Sequence, residues 1–268
     1  MNLSTTVRTA LAPIAFAMLL AAGADAGPAG KQTKVTFFKG DVTAGAATTG
    51  GADGKAPTLA RVKRNQQLPA GTLVKTGEGA RAELTFPDGS VVRVGPNAEL
   101  RIDGASFDGK SKEVKVEATL VGGQAWAKVA KLVGDESQFN LKTNNAVAGV
   151  RGTVFRVNVD RDEATVVKVY NGAVAVAAPL IASAETSTGP TGPISSDRKP
   201  IADPFKEVSK KEFEHILGKM MSIRIAKNTS VSAAAPVTFT PEEDAKEEPE
   251  WVRWNSDRDA GKNTEKSD

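Results

Sequence analysis

From Leu59 to Pro179, apolar and polar residues alternate in short runs, broken about every 8–12 residues by Gly, Pro, Asn or Asp. Period-two alternation at this spacing predicts an all-β domain rather than alternating strands and helices. Ala80 to Phe86 puts Ala82, Leu84 and Phe86 on one face. The run Pro87-Asp88-Gly89-Ser90 reads as a turn into a return strand at Val91 to Val94, with Asp88 and Gly89 as its turn residues. Gly95-Pro96-Asn97 turns again, with Asn97 as turn residue, into Glu99 to Ile102. Glu113 to Leu120 shows Val114, Val116, Ala118 and Leu120 to one side and Lys115, Glu117 and Thr119 to the other. Gly122-Gly123 predicts a hairpin into Gln124 to Val129. Phe139 and Leu141 mark a further strand, and Val154 to Val159 another that buries Phe155, Val157 and Val159. Arg161-Asp162-Glu163 turns into Ala164 to Tyr170, and Asn171-Gly172 is a type I′ hairpin signal before Ala173 to Ala177. Upstream, Lys34 to Val42 reads as a first strand pair with Val35, Phe37 and Val42 as core candidates, and Thr43 to Lys55 as loop. The expected fold is mainly β: a sandwich or roll of short antiparallel strands over residues 33–182, with its motif core at 68–176.

Beyond this domain the pattern changes. Ala182 to Pro193 is rich in small residues, Thr and Pro, so 183–202 reads as a linker. Ser209 and Glu212 have capping-box spacing, and Phe213, Ile216, Leu217, Met220 and Met221 share one helix face. An amphipathic helix is expected within 203–228, from about Lys210 to Lys227. Residues 229–268 read as a charged, mostly disordered tail: Glu242 to Asp268 holds ten acids and five bases.

The first 26 residues read as an export signal. Arg8 precedes an apolar run from Ala10 to Ala22, which ends in the small-x-small pattern Ala24-Asp25-Ala26. The run is shorter than the roughly 20 residues that span a bilayer, so cleavage and a periplasmic or secreted product are expected, with no transmembrane segment afterwards. Zero cysteines exclude disulfides, thiolate metal sites and Cys nucleophiles, and a single histidine excludes a His-rich metal site. The net charge of +3 is small and mixed in sign, which argues against a nucleic-acid footprint.

Four ordered pieces carry a family resemblance. They are Gly71-Thr72-Leu73-Val74-Lys75-Thr76-Gly77 followed by Ala80 to Leu84; Phe86 to Leu100 (FPDGSVVRVGPNAEL); Leu120-Val121-Gly122-Gly123-Gln124-Ala125-Trp126; and Val150-Arg151-Gly152-Thr153-Val154-Phe155-Arg156-Val157 with Val167, Tyr170, Asn171 and Gly172. Together, Leu68 to Val176 resembles a FecR domain. The resemblance implies an all-β module outside the cytoplasm that takes part in signalling or envelope binding without catalysis. The chain differs from the iron-uptake regulators of that family. An export signal stands where they resemble a sigma-factor-binding segment and membrane helix.

Single motifs add little chemistry. Gly104 to Ser111 matches the phosphate-loop pattern G-x-x-x-x-G-K-S, but an alternating strand follows where a helix is needed, so a hairpin loop is expected. His215 reads as a surface or core-edge residue, and Asp160 and Asp162 as solvated turn acids. Arg151-Gly152-Thr153 either presents a guanidinium fork to a carboxylate or phosphate, or forms a strand-starting bend; the structural reading is preferred. Trp126 is either core or a sugar-stacking platform. Trp251 and Trp254, three residues apart, either dock back on the body or anchor a partner. Asn171, Gly172, Gly123, Asn97, Asp88 and Gly89 are expected to serve turns. No catalytic residue, cofactor or metal is expected. The expected function is a non-enzymatic envelope signalling module acting through protein contacts, with glycan binding as the alternative.

Overall fold

The computed structural model describes residues 32–47, 57–131, 134, 137–179, 215–263 and 265–268. The expected export signal and linker, and the Ser209/Glu212 capping box, lie outside these residues.

In chain order, β1 (Thr33–Lys39) leads into β2 (Val42–Ala46), followed by the short β3 (Ala60–Arg61) and β4 (Gln67–Leu68). β5 (Thr72–Thr76) leads into β6 (Arg81–Thr85), and β7 (Val91–Val94) into β8 (Glu99–Phe107). The long β9 (Val114–Lys128) and β10 (Gln138–Lys142) come next. Then follow β11 (Val147–Val150), β12 (Val154–Val159), β13 (Thr165–Asn171) and β14 (Val174–Ala177). The chain resumes with β15 (His215–Leu217), β16 (Met221–Ile225) and β17 (Val237–Thr238), and closes with helices α1 (Pro241–Glu247) and α2 (Pro249–Asp259).

These strands form two ladders. Sheet A runs β4-β1-β6-β7-β9-β12-β13-β16-β17, every pair antiparallel. Sheet B runs β3-β2-β5-β8-β9-β10-β11-β14-β15, with β9 and β10 parallel. Residues 114–122 of β9 pair with β8 in sheet B, and 123–128 pair with β12 in sheet A. Twelve of the other strands repeat this plan in two pieces: β1/β2, β5/β6, β7/β8, β11/β12, β13/β14 and β15/β16 each pass from one sheet to the other through a short corner.

Corners lean on one another. Gly77 N–H donates to the Asp41 carbonyl at 2.8 Å, Asn97 N–H to Gly77 at 3.0 Å, and Gly95 N–H to Gln124 at 2.9 Å. Crowding here selects glycine. At Gly123, with φ +80°, a Cβ would stand 2.5 Å from the Ala98 Cβ. Gly122-Gly123 is therefore the bend within one strand and not the hairpin its dipeptide suggests. Asn171-Gly172 is likewise a corner between sheets: β13 pairs with β12 and β16, β14 with β11 and β15. Both dipeptides supply the positive φ of a tight turn, which a corner needs as much as a hairpin does.

Alternation then fills the space between the sheets. Val35, Leu84, Val92, Ala127, Phe155 and Val169 form one inward cross-strand row of sheet A. Ile102, Ala118, Leu141, Ala148 and Val176 form a row of sheet B. Both rows belong to one buried cluster, in which the Phe86 and Phe139 rings meet edge-on at 5.6 Å. Complete burial of side chains such as Phe139 and Phe155 stabilises by about 1.5–3 kcal/mol each.

Two expectations are corrected. The described part of the expected helix, from His215 onward, is a bent strand pair. Leu217, Ile223 and Ile225 point into the core, while Ile216 and Arg224 point out. The helical spacing of Ile216, Leu217, Met220 and Met221 is overridden by the open edge of β13, which pairs with Met221–Ile225 along its length. The tail, expected to be mostly disordered, is folded: a turn of 3-10 helix at Val231–Ala233, then β17, α1 and α2. Its few apolar groups are concentrated and buried, with Trp251, Val252 and Trp254 each under 10% exposed. α1 starts in a full capping box: the Thr240 side chain accepts from Glu243 N–H, Glu243 accepts from Thr240 N–H, and Pro241 occupies the first turn.

Candidate protein interaction site

The outer face of sheet A carries a cross-strand row set by register alone: Phe37, Glu83, Arg93, Trp126, Arg156, Lys168 and Ser222, one residue from each of seven neighbouring strands. The charged residues among them, Glu83, Arg93, Arg156 and Lys168, lie in the polar half of their strands' alternation, so sequence reasoning assigns them to solvent. They are instead buried, Arg93 to 4% and Arg156 to 2% exposure. Burial of charge at this depth requires partners, and the C-terminal segment supplies them.

At the centre, Asp259 of α2 accepts from Arg93 Nη1 at 2.8 Å and from the Trp126 indole N–H at 2.9 Å. Glu83 accepts from Arg93 Nε at 2.8 Å and from Arg258 Nε at 3.0 Å. Burial works to raise the Glu83 pKa, but hydrogen bonds and charge from Arg258 and Arg93 outweigh it and hold the carboxyl below its usual value.

Beside it, Asp244 of α1 is fully buried and accepts from Arg156 Nη2 at 2.6 Å and Lys168 Nζ at 2.8 Å. Tyr170 donates its hydroxyl to the same carboxylate, and Lys168 also donates to Glu247. Burial is the largest cause of a strongly raised Tyr170 pKa, and the bond to Asp244 adds to it, so the phenol stays a proton donor.

At the other end, Glu265 accepts from Lys39 at 2.6 Å, Arg81 at 2.6 Å and the Trp254 indole at 2.7 Å. Burial again opposes ionisation, yet these donors bring the Glu265 pKa down to about 2. The last residues continue past the end of β1, where Asp268 N–H donates to Phe38 at 3.0 Å and Gly40 N–H to the Asp268 carboxylate at 2.8 Å.

Aromatic rings bind these polar clusters together. Phe37, Trp126, Trp251 and Trp254 form a second buried cluster, separate from the sandwich core. Trp251 and Trp254 stack at 5.5 Å, Trp254 meets Phe37 at 5.6 Å, and Trp126 stacks on Tyr170 at 4.3 Å. The Arg258 guanidinium lies 4.4 Å from the Phe37 ring centroid and 5.1 Å from that of Trp254. Phe37, expected in the main core, thus faces the other way.

Of the residues singled out from sequence, Trp126, Trp251 and Trp254 come together here. Trp126 is 2% exposed and belongs to neither of its expected settings, sandwich core or open platform. The two tail tryptophans dock on the body. Arg151-Gly152-Thr153 is elsewhere, at the β11–β12 corner. Arg151 Nη2 donates to the carbonyls of Gly134 and Ser137 at 3.3 and 3.1 Å, Gly152 N–H to Ala130 at 3.1 Å, and Thr153 Oγ1 to Ala173 at 2.8 Å. Asp88 and Gly89 form the β6–β7 turn, with Asp88 accepting from Ser90 N–H at 3.0 Å. Asn97 and Gly123 sit in corners. The phosphate-loop match joins β8 to β9 as a hairpin, with no helix after Lys110. Asp160 and Asp162 both pair with Arg224, and His215 Nε2 lies 3.0 Å from the Val231 carbonyl. No helix among the described residues is long and apolar enough to cross a membrane.

Glu83, Arg93, Arg156, Lys168, Asp244 and Asp259 were not singled out. One signal for the tail was legible: Thr240-Pro241-Glu242-Glu243 is a capping box with Pro at the first helical position.

Residues 72–175 match the family model described as FecR protein, so this span of the sandwich is similar to a FecR domain. The matched span runs from β5 to β14, and the docked segment lies beyond it. Two solved structures of a "putative anti-sigma factor" from Parabacteroides distasonis, at 1.65 and 2.50 Å resolution, align at 19% and 18% identity with TM-scores of 0.39 and 0.40. Each alignment covers 62% of this chain, which spans 59% of the length of those structures. No curated protein matches the chain.

Proposed function

We propose that this protein is an exported, periplasmic FecR module that regulates an envelope signal through protein contacts and catalyses no reaction. The observation that carries this reading is the row Glu83, Arg93, Trp126, Arg156 and Lys168 across the outer face of sheet A. Arginine and aromatic side chains presented from adjacent strands are the groups that dominate protein recognition. A polypeptide segment, the chain's own tail, already pairs with them. Export is supported by the Arg8-led apolar run and the Ala24-Asp25-Ala26 pattern, and the absence of cysteine suits a fold that must stand without staples.

The test is cross-linking in intact cells. A photoreactive residue placed at exposed Lys128, at the rim of the row, is expected to capture a discrete envelope protein. The same residue at exposed Arg161, in a turn of sheet A away from the row, is expected to capture none. N-terminal sequencing of the periplasmic protein is expected to begin at Gly27. Capture of the same set from both positions, or a chain retained in the cytosol with Met1 in place, defeats the proposal.

A further inference from the structure

We propose that the outer face of sheet A recognises an acidic, tryptophan-bearing helical segment of another protein, and that residues 241–268 of this chain occupy that face until such a partner arrives. The inference rests on the protein-contact reading above and adds the chemistry of the partner and its competition with the tail.

Three observations carry it. Firstly, the complementarity is specific in sign and shape: Arg93, Arg156 and Lys168 on the sheet meet Asp259, Asp244 and Glu247 on the tail, and Trp126 and Phe37 adjoin Trp251 and Trp254. A segment of two short helices, with a carboxylate on each and two indoles on the second facing the sheet, is therefore the ligand class that the face fits.

Secondly, the tail satisfies the face incompletely. Arg156 Nε and Nη1 and Arg81 Nε, all on sheet A, are buried without a hydrogen-bond partner. Each such donor raises the free energy of the docked state. An open cleft of about 470 Å³ also remains beside Arg93 and Arg258, with Glu83 and Lys128 in its wall. A segment that brings further acceptors to these donors binds better than the tail does.

Thirdly, the docking is separable from the sandwich. The aromatic cluster under α2 is distinct from the core between the sheets. α1 carries its own capping box. The ion pairs that fill the rest of the contact gain little over their desolvation, so release of the tail leaves the sandwich core intact.

The probe is a fluorescein-labelled synthetic peptide of residues 237–268, followed by anisotropy with full-length protein at low and high salt. Unaltered protein is expected to bind it weakly. Full-length protein carrying Trp251→Ala and Trp254→Ala, which loosens its own tail, is expected to bind at least tenfold more tightly, and less tightly as salt rises. Adding Arg93→Gln and Arg156→Gln, or using a peptide with Asp244→Asn and Asp259→Asn, is expected to reverse the gain. If the double tryptophan variant does not fold, Glu265→Gln loosens the tail without removing an aromatic ring and is read in the same way. Failure of a folded, loosened chain to bind the peptide overturns the proposal, as does binding indifferent to Arg93 and Arg156. A loosened chain that sediments as a dimer by exchanging tails also overturns it, in favour of a second copy as occupant. If peptide binding fails while in-cell cross-linking still captures an envelope protein, only this inference falls; the loss of both removes the protein-contact reading as well.

Discussion

Trp126 on β9 donates its indole N–H to Asp259 on α2 at 2.9 Å, joining positions 133 residues apart. Because Asp259 also accepts from Arg93, this carboxylate ties the helix to two adjacent strands of sheet A. The bond is charge-assisted and largely shielded from water, a setting in which a hydrogen bond contributes roughly 1.5–3 kcal/mol.

Trp126→Phe keeps a ring against Tyr170 and removes the donor. A loss of about 1–2 kcal/mol in docking of the tail is expected, seen as faster proteolytic cleavage between Phe239 and Pro249 while the sandwich resists. Unchanged cleavage would show that the indole bond contributes nothing.

Asp244→Ala leaves Arg156 and Lys168 buried without their carboxylate, and removal of one partner of a buried ion cluster typically costs about 3–5 kcal/mol. The triple change Asp244→Leu, Arg156→Met, Lys168→Met removes the charge cluster together and is expected to recover most of that loss. Urea midpoints of the two variants decide the matter: equal destabilisation contradicts a penalty that arises from orphaned charge.

The corners give a paired glycine test. Gly123 and Gly89 have similar φ, +80° and +87°, yet a Cβ at Gly89 meets nothing within 4 Å, whereas at Gly123 it lies 2.5 Å from the Ala98 Cβ and 2.6 Å from its Cα. Gly89→Ala carries only the left-handed backbone cost of roughly 1–2 kcal/mol. Gly123→Ala adds overlap between β9 and the β7–β8 corner and is expected to lower the melting temperature clearly further, or to prevent folding. Equal melting temperatures would refute the stacked-corner account.

Acid should release the tail before it unfolds the body. The Glu265 carboxyl, opposed by burial but dominated by Lys39, Arg81 and Trp254, is held at about 2 against its ordinary 4.5. Glu83 is shifted the same way by Arg258 and Arg93. A depressed carboxylate contributes stability that is present above its unfolded value and lost as pH falls toward its folded value. Tryptophan emission should therefore shift to the red between pH 4.5 and about 2, with a smaller shift in Glu265→Gln. Emission that does not move over this range contradicts a tail held by ionised Glu265.

Much of the sandwich was legible because period-two alternation is a local property. Ala82, Leu84 and Phe86, the Val114 to Leu120 face, and Phe155, Val157 and Val159 are all buried as their alternation requires. The ordered FecR motifs were legible for the same reason: they are the turns, corners and strand faces of one module. Two local signals misled because each is degenerate. Gly122-Gly123 and Asn171-Gly172 supply positive φ, which serves a corner between sheets as well as a hairpin within one. Ile216, Leu217, Met220 and Met221 fit a helix face, yet Leu217, Ile223 and Ile225 fit a strand face, and the unpaired edge of β13 decides between them.

By itself, then, the order of residues determined which side chains of each strand face inward and which backbone positions bend, since both follow from steric rules within a few residues. Only the tertiary structure decided that the polar face of sheet A is also buried. Glu83, Arg93, Arg156 and Lys168 look solvated in any single strand. Their burial depends on charged partners 76 to 175 residues away along the chain: Asp244, Asp259 and, for Glu83, Arg258. No local pattern encodes such pairing, because an ionic partner is selected by position in space after the sheet has set the register.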